Sequence, residues 1–248
     1  MPKIPLTIEE NVLLAPMTTL RVGGPARYFT NVSDEGQIVQ AFEFARDRGW
    51  PVFVLGGGSN IVVADDGYNG LVIRVNLRGV KPVSESENEV ILDVAAGEDW
   101  DEFVADCVRR GLGGIECMSG IPGLVGGTPV QNVGAYGQEV ANTIVSVRTF
   151  DRRSDRFVDL SNAECRFQYR TSIFNTEARG RYVVISVRFR LLKNSGPAIL
   201  YRDLREYFEG RTPSLTETRD AVLAIRRKKS MVIDENDSRS SRLSECDS

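Results

Sequence analysis

The chain has 248 residues, of which 42% are hydrophobic and 26% are charged, as in an ordinary globular protein. Its formal net charge of −3 provides no basic excess to hold nucleic acid or an anionic membrane surface. The chain has no histidine, which excludes Ser-His-Asp and Cys-His nucleophilic machinery and histidine-ligated metal sites. Any chemistry therefore requires other acids and bases, or a cofactor.

Cysteine spacing and hydropathy indicate the compartment. The four cysteines form no Cys-x-x-Cys pair, which argues against a zinc site and against a disulfide framework. Cys107 falls on the apolar side of a predicted helix and is interpreted as core filler. No apolar stretch approaches the roughly 18 residues that span a bilayer, and the start lacks a signal peptide's apolar centre. We expect a cytoplasmic, monomeric protein with no membrane or nucleic-acid partner.

The first half of the chain predicts two helices among strands. The first helix is capped by Ser33 and ends at Gly49, and the second is capped by Asp99 and ends at Gly111. Strands are predicted on both sides of a turn at residues 23–25 and at residues 51–55, 61–63, 71–75 and 90–95, with a hairpin turn at residues 83–89.

The second half predicts an antiparallel region followed by one helix. Strands are expected at residues 144–150, 156–160 and 182–192, because apolar and polar residues alternate there. Residues 217–229 predict a helix that ends in the basic run Arg-Arg-Lys-Lys, where cations suit the helix dipole. Residues 234–248 contain almost no apolar side chains, and this composition is typical of disorder.

Two glycine-rich segments are the most informative part of the sequence. Residues 56–60 read Gly-Gly-Gly-Ser-Asn directly after an apolar strand, and residues 119–137 contain six glycines and two prolines interleaved with apolar residues. Such backbones allow a ligand to approach main-chain N–H groups closely, so we interpret both as binding loops for one long ligand. They could also be structural turns. A Rossmann dinucleotide site is disfavoured because the Gly-x-Gly-x-x-Gly spacing and its helix are missing.

Five landmarks together resemble the UDP-N-acetylenolpyruvoylglucosamine reductases, also called UDP-N-acetylmuramate dehydrogenases. They are Thr-Leu-Arg-Val-Gly-Gly-Pro-Ala at 19–26, Leu-Gly-Gly-Gly-Ser-Asn at 55–60, the run from Ile-Pro-Gly at 121 to Gly127, Gln-Asn-Val-Gly-Ala-Tyr-Gly at 131–137, and Tyr-Arg-Thr-Ser-Ile-Phe at 169–174. The resemblance covers roughly residues 5–237. It implies an α+β fold: a two-subdomain FAD-binding module of the vanillyl-alcohol-oxidase (PCMH) type, followed by an incomplete substrate-binding domain.

The same resemblance implies the cofactors and the residues that hold them. FAD would be bound without a covalent link, since the histidine that attaches it in some relatives is missing here, and NADPH would be the reductant. The first loop would cradle the FAD diphosphate, because consecutive N–H groups in a tight turn form an anion-binding concavity. The expected cofactor-binding residues are Leu55, Gly56, Gly57, Gly58, Ser59, Asn60, Ser119, Gly120, Ile121, Pro122, Gly126, Gly127, Gln131, Asn132, Gly134, Ala135 and Tyr136.

The implied reaction reduces the enolpyruvyl group of UDP-N-acetylglucosamine enolpyruvate to UDP-N-acetylmuramate, for peptidoglycan synthesis and hence cell shape and division. Arg170 matches the family's catalytic arginine, whose guanidinium stabilises the enolate-like intermediate. Tyr169, Tyr201 and Lys229 match substrate-binding positions. Without the surrounding motif, Arg170 would be interpreted as a surface salt bridge, and Lys229 could equally be a solvated helix end.

The chain departs from the family after residue 237, where the Gly-Ser-Phe-Phe-x-Asn-Pro segment with the proton-donating serine and a later catalytic glutamate are expected. We therefore divide it into a lead-in (1–18), the FAD-binding domain (19–193), the start of a substrate domain (194–233) and a tail (234–248). The helix at 217–229 would then expose its apolar side. Two alternatives stay open: a C-terminally truncated, catalytically defective FAD-binding remnant, and a weaker one, an oxidase of the wider module family.

Overall fold

The computed structural model describes residues 5–232, which form twelve β-strands and five α-helices. The strands are β1 (Glu9–Leu13), β2 (Pro25–Val32), β3 (Val52–Leu55), β4 (Tyr68–Val75), β5 (Val80–Glu85), β6 (Glu89–Ala95), β7 (Leu112–Gly113), β8 (Gly134–Ala135), β9 (Gln138–Glu139), β10 (Ile144–Asp151), β11 (Arg156–Ser161) and β12 (Tyr182–Lys193). The helices are α1 (Glu35–Asp47), α2 (Trp100–Arg109), α3 (Asn162–Cys165), α4 (Arg202–Phe208) and α5 (Leu215–Lys228). None of these described helices is long and apolar enough to cross a membrane. The predicted tail at 234–248 lies outside the described residues.

The first 193 residues form two larger β-sheets and a short antiparallel pair of β8 with β9. The first sheet has the order β1-β2-β4-β3, in which β1 runs antiparallel to β2 while the β2-β4 and β4-β3 pairs are parallel. The second has the order β11-β10-β12-β6-β5 with only antiparallel neighbours, and β7 pairs with the end of β12. The predicted α+β fold with two β-rich units is confirmed.

Helix α1 links the two sheets. It begins after Asp34, whose carboxylate accepts a hydrogen bond from the Gln37 N–H at 2.8 Å, so the predicted cap at Ser33 is wrong by one residue. The Ser33 hydroxyl donates to the Gln37 side chain instead. The Phe42 ring of α1 lies 5.3 Å from that of Phe150 in β10, and the helix thus packs between the sheets.

Helix α2 anchors the second glycine loop to the core. Asp99 caps it as predicted, accepting from the Glu102 N–H at 3.0 Å. Trp100 is buried, and its indole N–H donates to the Met118 carbonyl at 3.1 Å, just before that loop. Cys107 is fully buried on the same helix, and burial raises the pKa of its thiol to about 12, as expected for core filler.

Three local predictions in the first half are wrong. Residues 61–63 form no strand. They lie in a loop in which the Ala64 carbonyl accepts hydrogen bonds from the Gly24 and Gly67 N–H groups, and Val62 is 75% exposed. Residues 83–85 belong to β5, whose polar sequence suits an exposed edge strand. Residues 20–22 form no strand either, and the antiparallel partner of β2 is β1, inside the predicted lead-in.

Helices α4 and α5 cover the second glycine loop. Ser214 and Glu217 form a capping box at the start of α5, two residues before the predicted start, and α4 was not predicted. The expectation that this helix exposes its apolar side is wrong, because Ala221 and Val222 of α5 are fully buried. They belong to a cluster completed by Leu204 and Phe208 of α4 and by Cys117 and Tyr136. Helix α5 therefore packs against the loop region itself.

Candidate functional site

The two glycine loops lie against each other. The first follows β3 directly, and a Cβ atom on Gly57 would lie only 2.8 Å from the Gly123 Cα atom of the second loop. The Asn60 side-chain amide donates to the Gln131 side chain at 2.9 Å, which ties the loops together further along. Between them lies a cavity of about 210 Å³.

The first loop presents unpaired backbone donors to this cavity. Among residues 5–232, no protein group accepts from the N–H groups of Gly57, Gly58, Ser59 or Asn60. Gly58 has a φ of +66°, and a Cβ atom there would lie 2.0 Å from the Met17 carbonyl oxygen, so only glycine fits. Consecutive free N–H groups at the carboxyl end of a parallel strand form a site for an anion such as a diphosphate.

Most of the predicted cofactor-binding residues line one of two cavities. Those around the 210 Å³ cavity are Leu55, Gly56, Gly57, Gly58, Ser59, Asn60, Ile121, Pro122, Gly127 and Gln131. Gly56 and Gly127 face open space, with no atom within 4 Å of a Cβ built on either. The structure therefore brings together two loops that residues 61–118 separate in the sequence.

Four of the predicted cofactor-binding residues line neither cavity, and the contacts they make stabilise the second loop. The buried Ser119 hydroxyl donates to the Glu116 carbonyl at 2.6 Å, and the Gly126 N–H donates to the Ala96 carbonyl at 2.9 Å. The Gly120 N–H donates to the Asp101 carboxylate at 2.6 Å. Their roles as cofactor contacts stay predictions.

Asn132, the fourth of these, is a buried hub for the turn that follows. Its amide donates to the Glu139 carboxylate at 2.8 Å and to the Gln168 carbonyl at 3.0 Å, while its oxygen accepts from the Ala141 N–H at 3.1 Å. It has a φ of +44°, which asparagine tolerates better than most residues. Asn132 thus links the second loop to the segment that contains Tyr169 and Arg170.

A second cavity, of about 550 Å³, gathers the predicted substrate and catalytic residues. Its wall includes residues 134–136 of the second loop together with Tyr169, Arg170, Tyr201 and Lys229. These come from three parts of the chain: a turn before β12, the start of α4 and the end of α5. The four side chains that the resemblance singled out therefore share one cavity.

Arg170 is held by the second loop. It lies in a turn closed by two backbone hydrogen bonds between Gln168 and Thr171, and its φ is +57°. One guanidinium nitrogen, Nη2, donates to the Gly134 carbonyl at 2.9 Å. No carboxylate of residues 5–232 forms an ion pair with Arg170, so it is not a surface salt bridge within this part of the chain. The other guanidinium donors have no acceptor among the described residues, which leaves them available to a ligand there.

Tyr201 and Lys229 lie on the α4 and α5 side of the cavity. The Tyr201 ring packs edge-on against Tyr136, with ring centroids 5.5 Å apart. The Lys229 Nζ atom pairs with the Asp203 carboxylate at 2.5 Å, and this hydrogen bond raises the pKa of Lys229. Tyr136 is buried, which raises the pKa of its phenol, while the charges of Arg226 and Lys229 lower it.

Arg226 is a cavity residue that sequence reasoning missed. It falls within the basic run that ends the predicted helix and has no predicted role of its own, yet it is buried and lines the 550 Å³ cavity. The available signal was its spacing: Arg226 follows Val222 by four residues and therefore lies on the buried side of α5.

Comparison with known proteins decides the family. Residues 26–161, more than half of the chain, match the family model described as FAD binding domain, and this range contains both glycine loops. The chain belongs to this FAD-binding domain family. The cavity between the loops fits such a cofactor, since it offers unpaired N–H donors for a diphosphate and glycines where side chains would intrude.

The expected resemblance is also confirmed. The chain is 46% identical over 235 residues to the UDP-N-acetylenolpyruvoylglucosamine reductase of Thermobifida fusca, covering 93% of this chain and 65% of that relative. The chain spans less than two thirds of the length of the curated relatives it matches first.

Solved structures confirm the fold. A UDP-N-acetylenolpyruvylglucosamine reductase from Thermus caldophilus superposes with a TM-score of 0.65 at 28% identity, covering 90% of this chain and 70% of that one. A VAO-type flavoprotein from Myceliophthora thermophila gives 0.53 at 16% identity, covering 68% and 32%, which supports the fold alone. The predicted module of the vanillyl-alcohol-oxidase type is confirmed.

Proposed function

We propose that the chain binds FAD without a covalent link and, with NADPH as reductant, reduces UDP-N-acetylglucosamine enolpyruvate to UDP-N-acetylmuramate, a peptidoglycan precursor. The observation that carries the proposal is the 550 Å³ cavity, where Tyr169, Arg170, Tyr201 and Lys229 meet beside the second glycine loop. Similarity to reductases named for this substrate, over about nine tenths of the chain, supports it.

The first loop and the facing part of the second would hold the cofactor. The N–H groups of residues 57–60 suit the diphosphate, and the glycines of both loops leave room for the rest. When bound there, FAD supplies the hydride that the enolpyruvyl double bond accepts. The chain has no histidine, so attachment through that residue is impossible.

Arg170 would stabilise the charge that develops when hydride adds to the substrate. That addition places negative charge beside the substrate carboxylate, and a fixed cation there stabilises the transition state more than the ground state. The hydrogen bond to the Gly134 carbonyl orients the guanidinium before the substrate arrives, which reduces the cost of reorganisation. Tyr169, 78% exposed at the cavity mouth, would contact the substrate.

Tyr201 and Lys229 would bind the nucleotide part of the substrate. The ion pair with Asp203 positions the Lys229 ammonium group and raises its pKa, and Tyr201 is positioned by its contact with Tyr136. The reduced substrate also needs a proton at carbon. No serine of this sequence lies in the Gly-Ser-Phe-Phe context of the family's proton donor, so we assign that role to no residue.

An anaerobic stopped-flow experiment tests the proposal. The purified protein is mixed with NADPH while flavin absorbance is followed, and UDP-N-acetylglucosamine enolpyruvate is then added to the reduced protein. We expect bleaching of the flavin, followed by rapid reoxidation that depends on the sugar nucleotide. Reduced flavin can be generated chemically if NADPH reacts slowly, so that the two half-reactions are judged separately.

Each outcome of this experiment has a distinct meaning. If NADPH fails to reduce the bound flavin while the sugar nucleotide still reoxidises flavin that was reduced chemically, the proposed substrate would stand and the proposed reductant would be wrong. Reduced flavin that the sugar nucleotide does not reoxidise would contradict the proposed reaction and support the alternative of a chain that binds FAD without turning over the sugar. The cytoplasmic location and the monomeric state stay predictions.

A further inference from the structure

The turn that carries Arg170, residues 168–171, gains little from burial of its own side chains. Gln168, Tyr169 and Arg170 are all exposed, so apolar packing does not fix the turn in place. Arg170 also has a φ of +57°, a conformation that residues other than glycine keep only where the surrounding structure holds them in it. Hydrogen bonds between this turn and its neighbours must therefore position the guanidinium.

Two hydrogen bonds join the ends of the turn to the second loop. At its start, the Gln168 carbonyl accepts from the Asn132 side-chain amide at 3.0 Å. Just after its end, the Ser172 hydroxyl donates to the Val130 carbonyl at 2.7 Å. Asn132 and Ser172 are each 1% exposed, so water competes little for either bond. The second loop thus holds the turn on both sides of Arg170.

Asn132 also holds the group that accepts a hydrogen bond from Arg170. The Asn132 amide donates to the Glu139 carboxylate at 2.8 Å, and Glu139 in β9 pairs with Gly134 in β8. The Gly134 carbonyl accepts from the Arg170 Nη2 atom at 2.9 Å. One buried side chain is therefore bonded both to the turn that carries Arg170 and to the β8–β9 hairpin that binds its guanidinium.

The β8–β9 hairpin has a second attachment, which does not involve Asn132. The Gln138 side chain accepts from the Cys117 N–H at 2.8 Å and donates to the Glu116 carboxylate at 2.8 Å. Gln138, Cys117 and Glu116 are all buried. Loss of the Asn132 side chain should therefore leave the hairpin in place and release the start of the turn that carries Arg170.

We propose that Asn132 is a positioning residue for Arg170, which holds the guanidinium where the carboxylate of the substrate binds. The inference rests on the proposed function, in which Arg170 is the fixed cation beside that carboxylate. A cation that is already ordered binds a carboxylate more tightly than a mobile one, because the mobile side chain must be ordered during binding at a cost in free energy. Asn132 thus contributes to recognition of the carboxylate without contacting the ligand.

Isothermal titration calorimetry on the full chain with FAD bound tests the inference without turnover. The ligands are UDP-N-acetylmuramate, which has the carboxylate, and UDP-N-acetylglucosamine, which lacks the group that bears it. The ratio of the two affinities therefore measures recognition of that group. Arg170→Ala should lower the ratio about tenfold or more, as for loss of a charge-assisted hydrogen bond.

Asn132→Gly should lower the same ratio about three- to tenfold, which is the cost of ordering one long side chain. Binding of UDP-N-acetylglucosamine should change less than about twofold. Glycine is chosen because it adopts the φ of +44° at this position without strain. A double variant that combines Asn132→Gly with Arg170→Ala should have the ratio of Arg170→Ala alone, because Asn132 acts through Arg170.

Asn162→Ala is the matched control. The Asn162 amide also donates two hydrogen bonds, to the Ala141 and Ile144 carbonyls at 2.8 Å each, but neither involves the turn that carries Arg170 or the β8–β9 hairpin. Asn132→Gly and Asn162→Ala should both lower the unfolding temperature, since each leaves acceptors without their donor. Only Asn132→Gly should lower the affinity ratio.

Three results would overturn the positioning role. The first is an unchanged affinity ratio in Asn132→Gly, and the second is an equal fall in Asn162→Ala, which would indicate a general loss of stability. The third is a further fall in the double variant, which would show that Asn132 acts independently of Arg170. Weaker FAD binding in Asn132→Gly at an unchanged ratio would assign the residue to the cofactor instead.

Asn132→Asp gives the same test if Asn132→Gly does not fold. Aspartate also tolerates a positive φ, and its carboxylate can still accept the hydrogen bond from the Ala141 N–H. An ionised carboxylate has no donor for the Glu139 side chain or the Gln168 carbonyl, so the affinity ratio should again fall. An unchanged ratio in this variant would contradict the inference equally.

The same titrations separate the inference from the proposed function. A ratio that falls in Arg170→Ala but not in Asn132→Gly keeps the proposed function and overturns the positioning role. A ratio that Arg170→Ala leaves unchanged, or an original chain that binds neither sugar nucleotide, contradicts both. If the ratio falls in both variants but the sugar nucleotide does not reoxidise the reduced flavin, the proposed reaction fails and the positioning role stands.

Discussion

At the scale of single residues, two neighbouring glycines of the first loop differ in whether the structure has room for a side chain. Gly57 is required by the second loop, since a Cβ atom there would lie 2.8 Å from the Gly123 Cα atom, whereas a Cβ on Gly56 would meet nothing within 4 Å. Neither residue has a positive φ, so backbone strain does not confuse the comparison. The pair therefore provides a matched test of loop contact.

We predict that Gly57→Ala destabilises the flavin-free protein by about 1–3 kcal/mol, because the two loops must separate to admit the methyl group. Gly56→Ala should leave the flavin-free protein unchanged within about 0.5 kcal/mol. Chemical denaturation of both variants after flavin removal measures the difference. Equal stability of the two variants would show that the loops are not in contact in solution.

Arg170→Ala should abolish most of the sugar reduction while flavin binding stays intact. The side chain makes one described hydrogen bond, to the Gly134 carbonyl, and its expected role is in the transition state, so we predict a loss of about 10²–10³ in the rate of flavin reoxidation. Arg166→Ala is the control, because Arg166 is also exposed and also has a positive φ, of +49°. Loss of FAD in Arg170→Ala would show instead that the residue is structural.

At the scale of elements, α5 is joined to α2 and to the second loop through one carboxylate. Asp101 of α2 accepts two hydrogen bonds from Arg219 of α5 and one from the Gly120 N–H. Burial raises the pKa of Asp101, but these hydrogen bonds lower it further, and its net value lies below the ordinary one. These contacts of Asp101 explain how α5, which lies outside the residues 26–161 that match the family model, supports the second glycine loop, which lies inside them.

Arg219→Met should destabilise the protein by about 1–3 kcal/mol at neutral pH, because it leaves a partly buried carboxylate short of donors. Since the pKa of Asp101 is depressed in the folded state, its stabilisation is present above the ordinary pKa and is lost as the pH falls through the folded value. The difference between original and variant should therefore shrink below about pH 4. Denaturation at several pH values measures this.

The control for this prediction is Arg202→Met, which removes an exposed ion pair with Glu206 and should change stability by less than about 1 kcal/mol. An Arg219→Met effect as small as that of the control, or one that does not vary with pH, would contradict the proposed joint.

At the scale of the whole molecule, the two loops predict a preference for a flavin dinucleotide over a mononucleotide. FAD at about 100 times its Kd should stabilise the flavin-free protein by about 2.7 kcal/mol, which corresponds to roughly 5–11 °C in Tm for a chain of this size. FMN carries a single phosphate and should give a much smaller shift at the same concentration. Equal shifts would argue against a diphosphate at residues 57–60.

Local sequence signals predicted the elements that depend on neighbouring residues. The Asp99 cap, the glycine stops after α1 and α2, and the alternation of β12 are short-range patterns, and each is present in the structure. The errors occurred where longer-range packing decides. The Val-rich residues 61–63 form a loop, and the polar residues 83–85 form an edge strand because pairing with β6 compensates for their exposure.

The sequence by itself determined the family and most of the candidate residues, because glycine spacing and the Tyr-Arg turn are local motifs that need no partner to be read. Only the tertiary structure decided which residues share a cavity. It placed Ser119, Gly120 and Asn132 in support of the second loop, and it brought Arg226 into the wall beside Lys229. The physical reason is that burial and unpaired donors depend on how α4 and α5 pack over that loop, a long-range contact that no local pattern specifies.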